Sequence, residues 1–196
     1  GLLDTVSESS FALVDADESQ AIIDPTAKQR EGFRAKGKQR EQALAQACVR
    51  AREPAVIASG KRIAVLANVG DVEDTRIAVE NGTDGVGLYR LEQTYLGRQK
   101  PPSMTQLLVE MQQTLQPAEG LPVYVRLLDV GADKPLPFVE MPREGNPSLG
   151  QRGIRFLWKY PELLHTQLDA LIQLSLNHDL HILVPMVTLP PDLRAV

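Results

Sequence analysis

A chain of 196 residues, 43% hydrophobic and 23% charged, holds enough material for one sizeable domain or one and a half small ones. Its formal net charge of −4 and pI near 5.4 give no support to bulk nucleic-acid or membrane binding, although 21 Lys and Arg leave room for a local basic cleft. No stretch approaches the roughly 20 apolar residues of a membrane span, no signal peptide is visible, and the single cysteine, Cys48, excludes an intrachain disulfide, so a cytoplasmic protein is expected.

The chain opens on Gly1 without a methionine and stops in "PPDLRAV", which reads as the first turn of a helix, so a fragment of a longer protein is expected. Residues 1–27 contain two short apolar runs around the acidic turn "DADES" and predict a β-hairpin ended by Pro25. Residues 28–53 are polar and rich in helix formers, with a thin apolar stripe. They predict a largely exposed connecting helix, ended by Pro54, with Cys48 as a small packing residue on it.

From residue 61 the rhythm changes. "RIAVLAN" (62–68) predicts a strand and "VEDTRIAVENG" (72–82) a helix with Ile77, Ala78 and Val79 inside and Gly82 at its end. "GVGLY" (85–89) predicts a second strand. "SMTQLLVEMQQTL" (103–115) has the apolar spacing of a helix, with Ser103 as its N-cap. "PVYVRLLD" (122–129) is a third strand, residues 130–159 are irregular, 161–178 form an amphipathic helix started by Pro161, and "HILVPMV" (181–187) is a fourth strand. This β/α alternation implies parallel strands, and the unbroken apolar runs imply strands covered on both faces. A (β/α)8 barrel and an open doubly wound sheet both fit, four strands being half the usual barrel.

In either architecture function sits at the carboxyl ends of the strands. The first strand ends in Asn68-Val69-Gly70. The second ends in Arg90 and Glu92. The third supplies Arg126, Asp129, Asp133 and Lys134, and the loop after it carries Asn146, Arg152 and Arg155. Arginine's planar fork of donors matches phosphate or carboxylate oxygens, so several at one mouth make an anion site, and the neighbouring acids can hold the guanidinium groups in place. The alternative is a set of structural ion pairs with Glu92, Asp129 and Asp133. His165, His178 and His181 have no nucleophile or metal-ligand spacing beside them and read as structural or solvent-facing. Trp158, beside Phe156, reads as core.

With these residues in view, "LANVGDVEDTRIAVENGTDGVGLYRLEQTYL", "PVYVRLLDVGADKPLPFVEMPREGNPSLGQRGIR" and "HILVPMV" resemble the phosphoenolpyruvate-utilising enzymes. The resemblance is greatest to the phosphoenolpyruvate–protein phosphotransferases, enzyme I of the bacterial sugar phosphotransferase system. It implies an α/β fold that is the first half of a (β/α)8 TIM-type barrel. Residues 1–27 would be the end of a swivelling phosphohistidine domain, 28–60 a linker helix, and 61–196 the N-terminal half of the barrel that binds phosphoenolpyruvate (PEP) and Mg2+. Arg90 and Arg126 match the two arginines that grip the substrate phosphate, and Lys134, Asn146 and Arg152 match positions near that mouth.

The resemblance also implies a histidine-containing phosphocarrier protein as partner of the full-length parent. A homodimer is expected separately, because half a barrel leaves two strand edges open. The family's phosphorylated histidine, metal carboxylates and acid–base cysteine have no counterpart in this sequence, so the fragment is expected to be inactive alone. Departures stand at Leu91-Glu92-Gln93 (Thr-Glu-Phe in the family), Ala132 (Gly) and Gln151 (Trp). A PEP synthase or pyruvate phosphate dikinase fragment, and a non-catalytic metabolite-binding module, are the competing readings.

Overall fold

The computed structural model describes residues 6–7, 10–131, 136–141, 144–194 and 196. Two compact units emerge, Gly1–Arg50 and Ala51–Val196.

In the first unit, strands β1 (Ala12–Asp15) and β2 (Gln20–Ile23) form the expected antiparallel hairpin, with Ala12 opposite Ile23 and Asp15 opposite Gln20. Helix α1 (Ala27–Arg50) follows. It starts in a reciprocal cap: Gln29 N–H donates to Thr26 Oγ1 at 3.3 Å, and Thr26 N–H donates to Gln29 Oε1 at 2.8 Å. None of the residues of α1 is buried. Cys48 is therefore exposed rather than packed, as are Leu44 and Val49. The helix runs on good formers and charge, without an apolar face deep enough to be covered. Lys36 reaches Asp15 and Glu18, each at 3.3 Å, and Arg40 reaches Asp17 at 3.0 Å. These pairs are mostly solvated and contribute little to stability.

The second unit holds a parallel sheet in the order β3 (Leu66–Val69), β4 (Gly85–Arg90), β5 (Val123–Arg126), β6 (Leu180–Leu183). Helices α2 (Val72–Glu80), α4 (Met104–Leu115) and α6 (Pro161–Ser175) connect them, with α4 against both other helices. Asp71 caps α2, and Ser103 with Gln106 forms a full capping box on α4. Val69, Tyr89, Val123 and Val125 from the strands meet Leu107, Met111, Leu115, Leu163, Leu164 and Leu171 from the helices in one core.

Several expectations shift. The first strand begins at Leu66, four residues late. Residues 61–63 instead turn back on 55–57, with Ile63 N–H donating to the Ala55 carbonyl and a bridge between Val56 and Arg62. The fourth strand ends at Leu183, because Pro185 brings no donor and Met186 takes a left-handed φ of 64°. The strands are not covered on both faces: Leu66, Ile182 and Leu183 remain more than a third exposed. Ile77 points outward at 45% exposure, because the covered face of α2 runs through Thr75, Ala78 and Val79. Trp158 is 38% exposed, and Phe156 takes the core position. Two short helices arise where none is expected, α3 (Glu92–Tyr95) and α5 (Ile154–Lys159). Among the described residues no helix is long and apolar enough to cross a membrane.

Candidate functional site

The opposing arginines come from register. Strand β4 lies parallel to β5 with Arg90 opposite Arg126, and β3 ends beside Arg90 in Val69-Gly70. Their Cα atoms are in one row at the carboxyl ends of two central strands. That row sets the two arginines side by side on neighbouring strand ends.

Arg126 is tethered twice. Its Nη2 donates to Glu92 Oε1 at 2.5 Å, and its Nη1 lies 3.5 Å from Asp129 Oδ2. Asp129 Oδ1 accepts from Arg152 Nε at 3.0 Å. Glu92, Arg126, Asp129 and Arg152 thus form a chain of alternating charge, with Glu92 4% and Asp129 7% exposed. Charge-assisted bonds of this kind offset the desolvation that burial of the carboxylates imposes.

Local structure explains the placement. Leu91 and Tyr95 are fully buried on either side of the α3 turn, so the backbone of Glu92 is anchored in the core. Burial also drives the Tyr95 hydroxyl well above the usual phenol range. Asp129 is set by the segment after β5. There Leu127 N–H still bonds the Leu183 carbonyl at 3.0 Å, while Leu128 N–H turns to Gln167 Oε1 at 2.8 Å. Gln167 is fully buried on α6 and donates its own Nε2 to the Leu163 carbonyl at 2.9 Å. This glutamine was missed in the sequence. Its position among Leu163, Leu164, Ala170, Leu171 and Leu174 makes it the polar residue in an apolar stripe, which is the signal that could have found it.

Arg90 is held differently. Its Nε is buried without a hydrogen-bond partner, and no ion pair to a described residue restrains its guanidinium. The side chain lies over Gly70, where an added Cβ would stand 3.1 Å from Arg90 Nη2 and 3.0 Å from Gln93 Nε2. Two more buried polar atoms at the mouth are also unpartnered, Arg126 Nε and Glu92 Oε2. Beyond Gly70 and Gln93, a cavity of about 240 Å³ opens between α2 and α4. Asp71, Tyr89, Thr94 and Thr114 line it, and the mouth arginines do not.

The other sequence candidates divide. Arg152 joins the chain of charges through Asp129. Asn146 sits in an exposed turn where its carbonyl accepts from Leu149 N–H, and no bond joins it to Arg90 or Arg126. Lys134 and Asp133 lie outside the described residues. Arg155 clamps its own loop, donating to the Leu149 and Gly150 carbonyls at 2.8 and 3.3 Å. His165 and His181 are exposed, the latter stacked on Tyr124 with ring centroids 4.4 Å apart. Among the described residues no three His, Cys, Asp or Glu converge as metal ligands, and the two acids at the mouth are already spent on arginines. These residues do not fit Mg2+.

Residues 45–196 match the model of a PEP-utilising enzyme, PEP-binding domain. Over 193 residues the chain is 33% identical to a phosphoenolpyruvate-protein phosphotransferase of Priestia megaterium, covering 98% of the chain and 34% of that protein. It is 35% identical over 183 residues to the Bacillus subtilis (strain 168) protein of the same name, covering 93% and 32%. A multiphosphoryl transfer protein of Rhodobacter capsulatus is 37% identical over 186 residues, covering 93% of the chain and 22% of its own length. The chain spans about a third or less of the length of these relatives.

Proposed function

Because the chain belongs to the PEP-utilising enzyme family through its PEP-binding domain, we propose that it is the part of a phosphoenolpyruvate–protein phosphotransferase that binds the phosphate of PEP. The observation that carries this is the Arg90–Arg126 register pair at the carboxyl ends of adjacent parallel strands, with Arg152 one carboxylate away. In this reading Arg90 and Arg126 hold the phosphoryl oxygens, and Arg152 supports them through Asp129. Lys134 and Asn146 are supporting residues in this reading. Transfer of a phosphoryl group is mostly positioning and neutralisation of spreading negative charge, and a cluster of guanidinium groups supplies both.

The finer picture follows from the same reading. Residues 61–196 are the first half of a TIM-type barrel, 28–60 a linker helix, and 1–27 the end of a swivelling phosphohistidine domain. Mg2+ would be held by the remainder of the parent, and would supply counter-charge there. The parent works in the cytoplasm, passing phosphoryl to a histidine and on to a histidine-containing phosphocarrier protein of sugar transport. The chain alone is inactive and supplies the phosphate-binding wall. Its outer strands β3 and β6 carry open edges, which a homodimer would cover. Sedimentation as a well-ordered monomer would sink the homodimer.

The first test is PEP binding by calorimetry at low salt, on this chain and on Arg126→Ala. Binding by the wild type that the substitution weakens at least about tenfold supports the reading, as loss of charge-assisted bonds predicts. Equal binding by both overturns it.

A further inference from the structure

We infer that Glu92 is the positioning residue of the arginine mouth: its carboxylate fixes the plane of the Arg126 guanidinium before an anion arrives. The inference rests on the reading of Arg126 as an anion-binding residue. A carboxylate 4% exposed, with one oxygen on Arg126 at 2.5 Å and the other buried without a partner, is costly to keep in a fold. A stability role alone would be met as well by an apolar residue of similar size. The pair instead restricts a long side chain that is 26% exposed and whose other charged neighbour, Asp129, stands at the longer distance of 3.5 Å.

The geometry does this from two sides. Glu92 engages Nη2 and Asp129 lies against Nη1, so the terminal nitrogens answer to carboxylates on different segments. A planar group pinned at both ends cannot rotate about its Nε–Cζ bond. Each terminal nitrogen carries two hydrogens; the Glu92 bond engages one on Nη2, and Asp129 is an ion-pair neighbour of Nη1, which leaves hydrogens on both nitrogens for ligand oxygens. Glu92 can act this way because it starts a turn whose N-cap, Leu91, and last residue, Tyr95, are fully buried. Arg90, on the next strand, has no such tether among the described residues.

The test uses the whole 196-residue chain as wild type, Glu92→Ala, Glu92→Gln and Arg126→Ala. Thermal unfolding verifies the fold of each. Side-chain nitrogen NMR reads guanidinium rotation, and calorimetry reads PEP affinity. In the wild type the Arg126 Nη resonances are expected to be separate and slowly exchanging. Glu92→Ala should average them and weaken PEP about tenfold or more. Glu92→Gln keeps an acceptor oxygen without the charge, and should restore hindered rotation in part and weaken PEP only about threefold.

Unchanged Arg126 resonances or unchanged PEP affinity in Glu92→Ala overturns the role of Glu92; where that variant fails to fold, the same result in Glu92→Gln does so. If Arg126→Ala weakens PEP in that same series, the anion-site reading stands while the Glu92 inference falls. No PEP binding by the wild type overturns both.

Discussion

The ends of β4 and β5 carry one arginine each, in register, yet they are built differently. At the end of β5, Arg126 is tied to Glu92 and Asp129, Asp129 is tied to Arg152, and the backbone beneath is fixed by a buried glutamine. At the end of β4, Arg90 rests over a glycine and has no ion pair among the described residues. Identical side chains in equivalent sheet positions thus divide into a preset group and an adjustable one. Preset groups lose little freedom when a ligand binds, and adjustable ones can follow it.

The largest expected effect of this difference is on stability. Arg126→Ala leaves Glu92 buried without its counter-charge and should lower unfolding free energy by about 2–4 kcal/mol. Arg90→Ala strips no described carboxylate of a partner and should stay within about 1 kcal/mol. Chemical denaturation of both variants measures this, and equal losses would break the comparison. Next comes the support under β5. Gln167→Leu removes the acceptor for Leu128 N–H and should destabilise by about 1–3 kcal/mol, with weaker PEP binding because Asp129 loses its seat.

Gly70→Ala probes the β4 side. The added methyl group meets only the far ends of Arg90 and Gln93, so unfolding should move by less than about 1 kcal/mol, while PEP affinity falls a few-fold as the Arg90 guanidinium is pushed aside. Calorimetry beside thermal melting separates the two effects.

The smallest effect is in the turn Pro190–Leu193 beyond β6, which serves as a control with no bond to Arg90 or Arg126. Asp192 accepts from Thr188 N–H, Leu189 N–H and the Thr188 hydroxyl at 2.7–2.9 Å, and these bonds, the backbone ones foremost, hold its carboxyl below the usual range. A folded-state pKa below the unfolded value of 3.8 means stabilisation that is complete above that pH and is lost as pH falls through the folded value. Asp192→Asn should therefore flatten the acid limb of the stability curve and leave PEP affinity unchanged.

How much of this was legible beforehand follows physical lines. The β/α order, the cap at Ser103, the helix start at Pro161, and arginines at strand ends are written in local pattern and could be read. Helix α3 could not, since a single turn has no period and is created by burial of Leu91 and Tyr95. The burial of Glu92, the seat of Asp129 and the exposure of Trp158 depend on which segments meet, which no local pattern records. The role of Gln167 was legible in principle, as an amide inside a leucine stripe, but only a search for polar interruptions would have raised it. The expectation for Cys48 fails because the apolar stripe of α1 is too thin to bury any residue of the helix.

One contact has a consequence for how such sequences can change. Gly153 has a φ of 56°, and a side chain there would meet Met186 Cγ at 2.9 Å and the Pro185 carbonyl at 3.0 Å; Met186 is itself left-handed. The loops leaving β5 and β6 interlock at this point, with Ile154 N–H bonded to the Pro185 carbonyl. Trimming Met186 would clear only half of the obstruction, since the carbonyl and the backbone angle remain. Among descendants of this sequence, position 186 can change only within the residues that tolerate a left-handed backbone, and it changes behind a glycine at 153 that cannot.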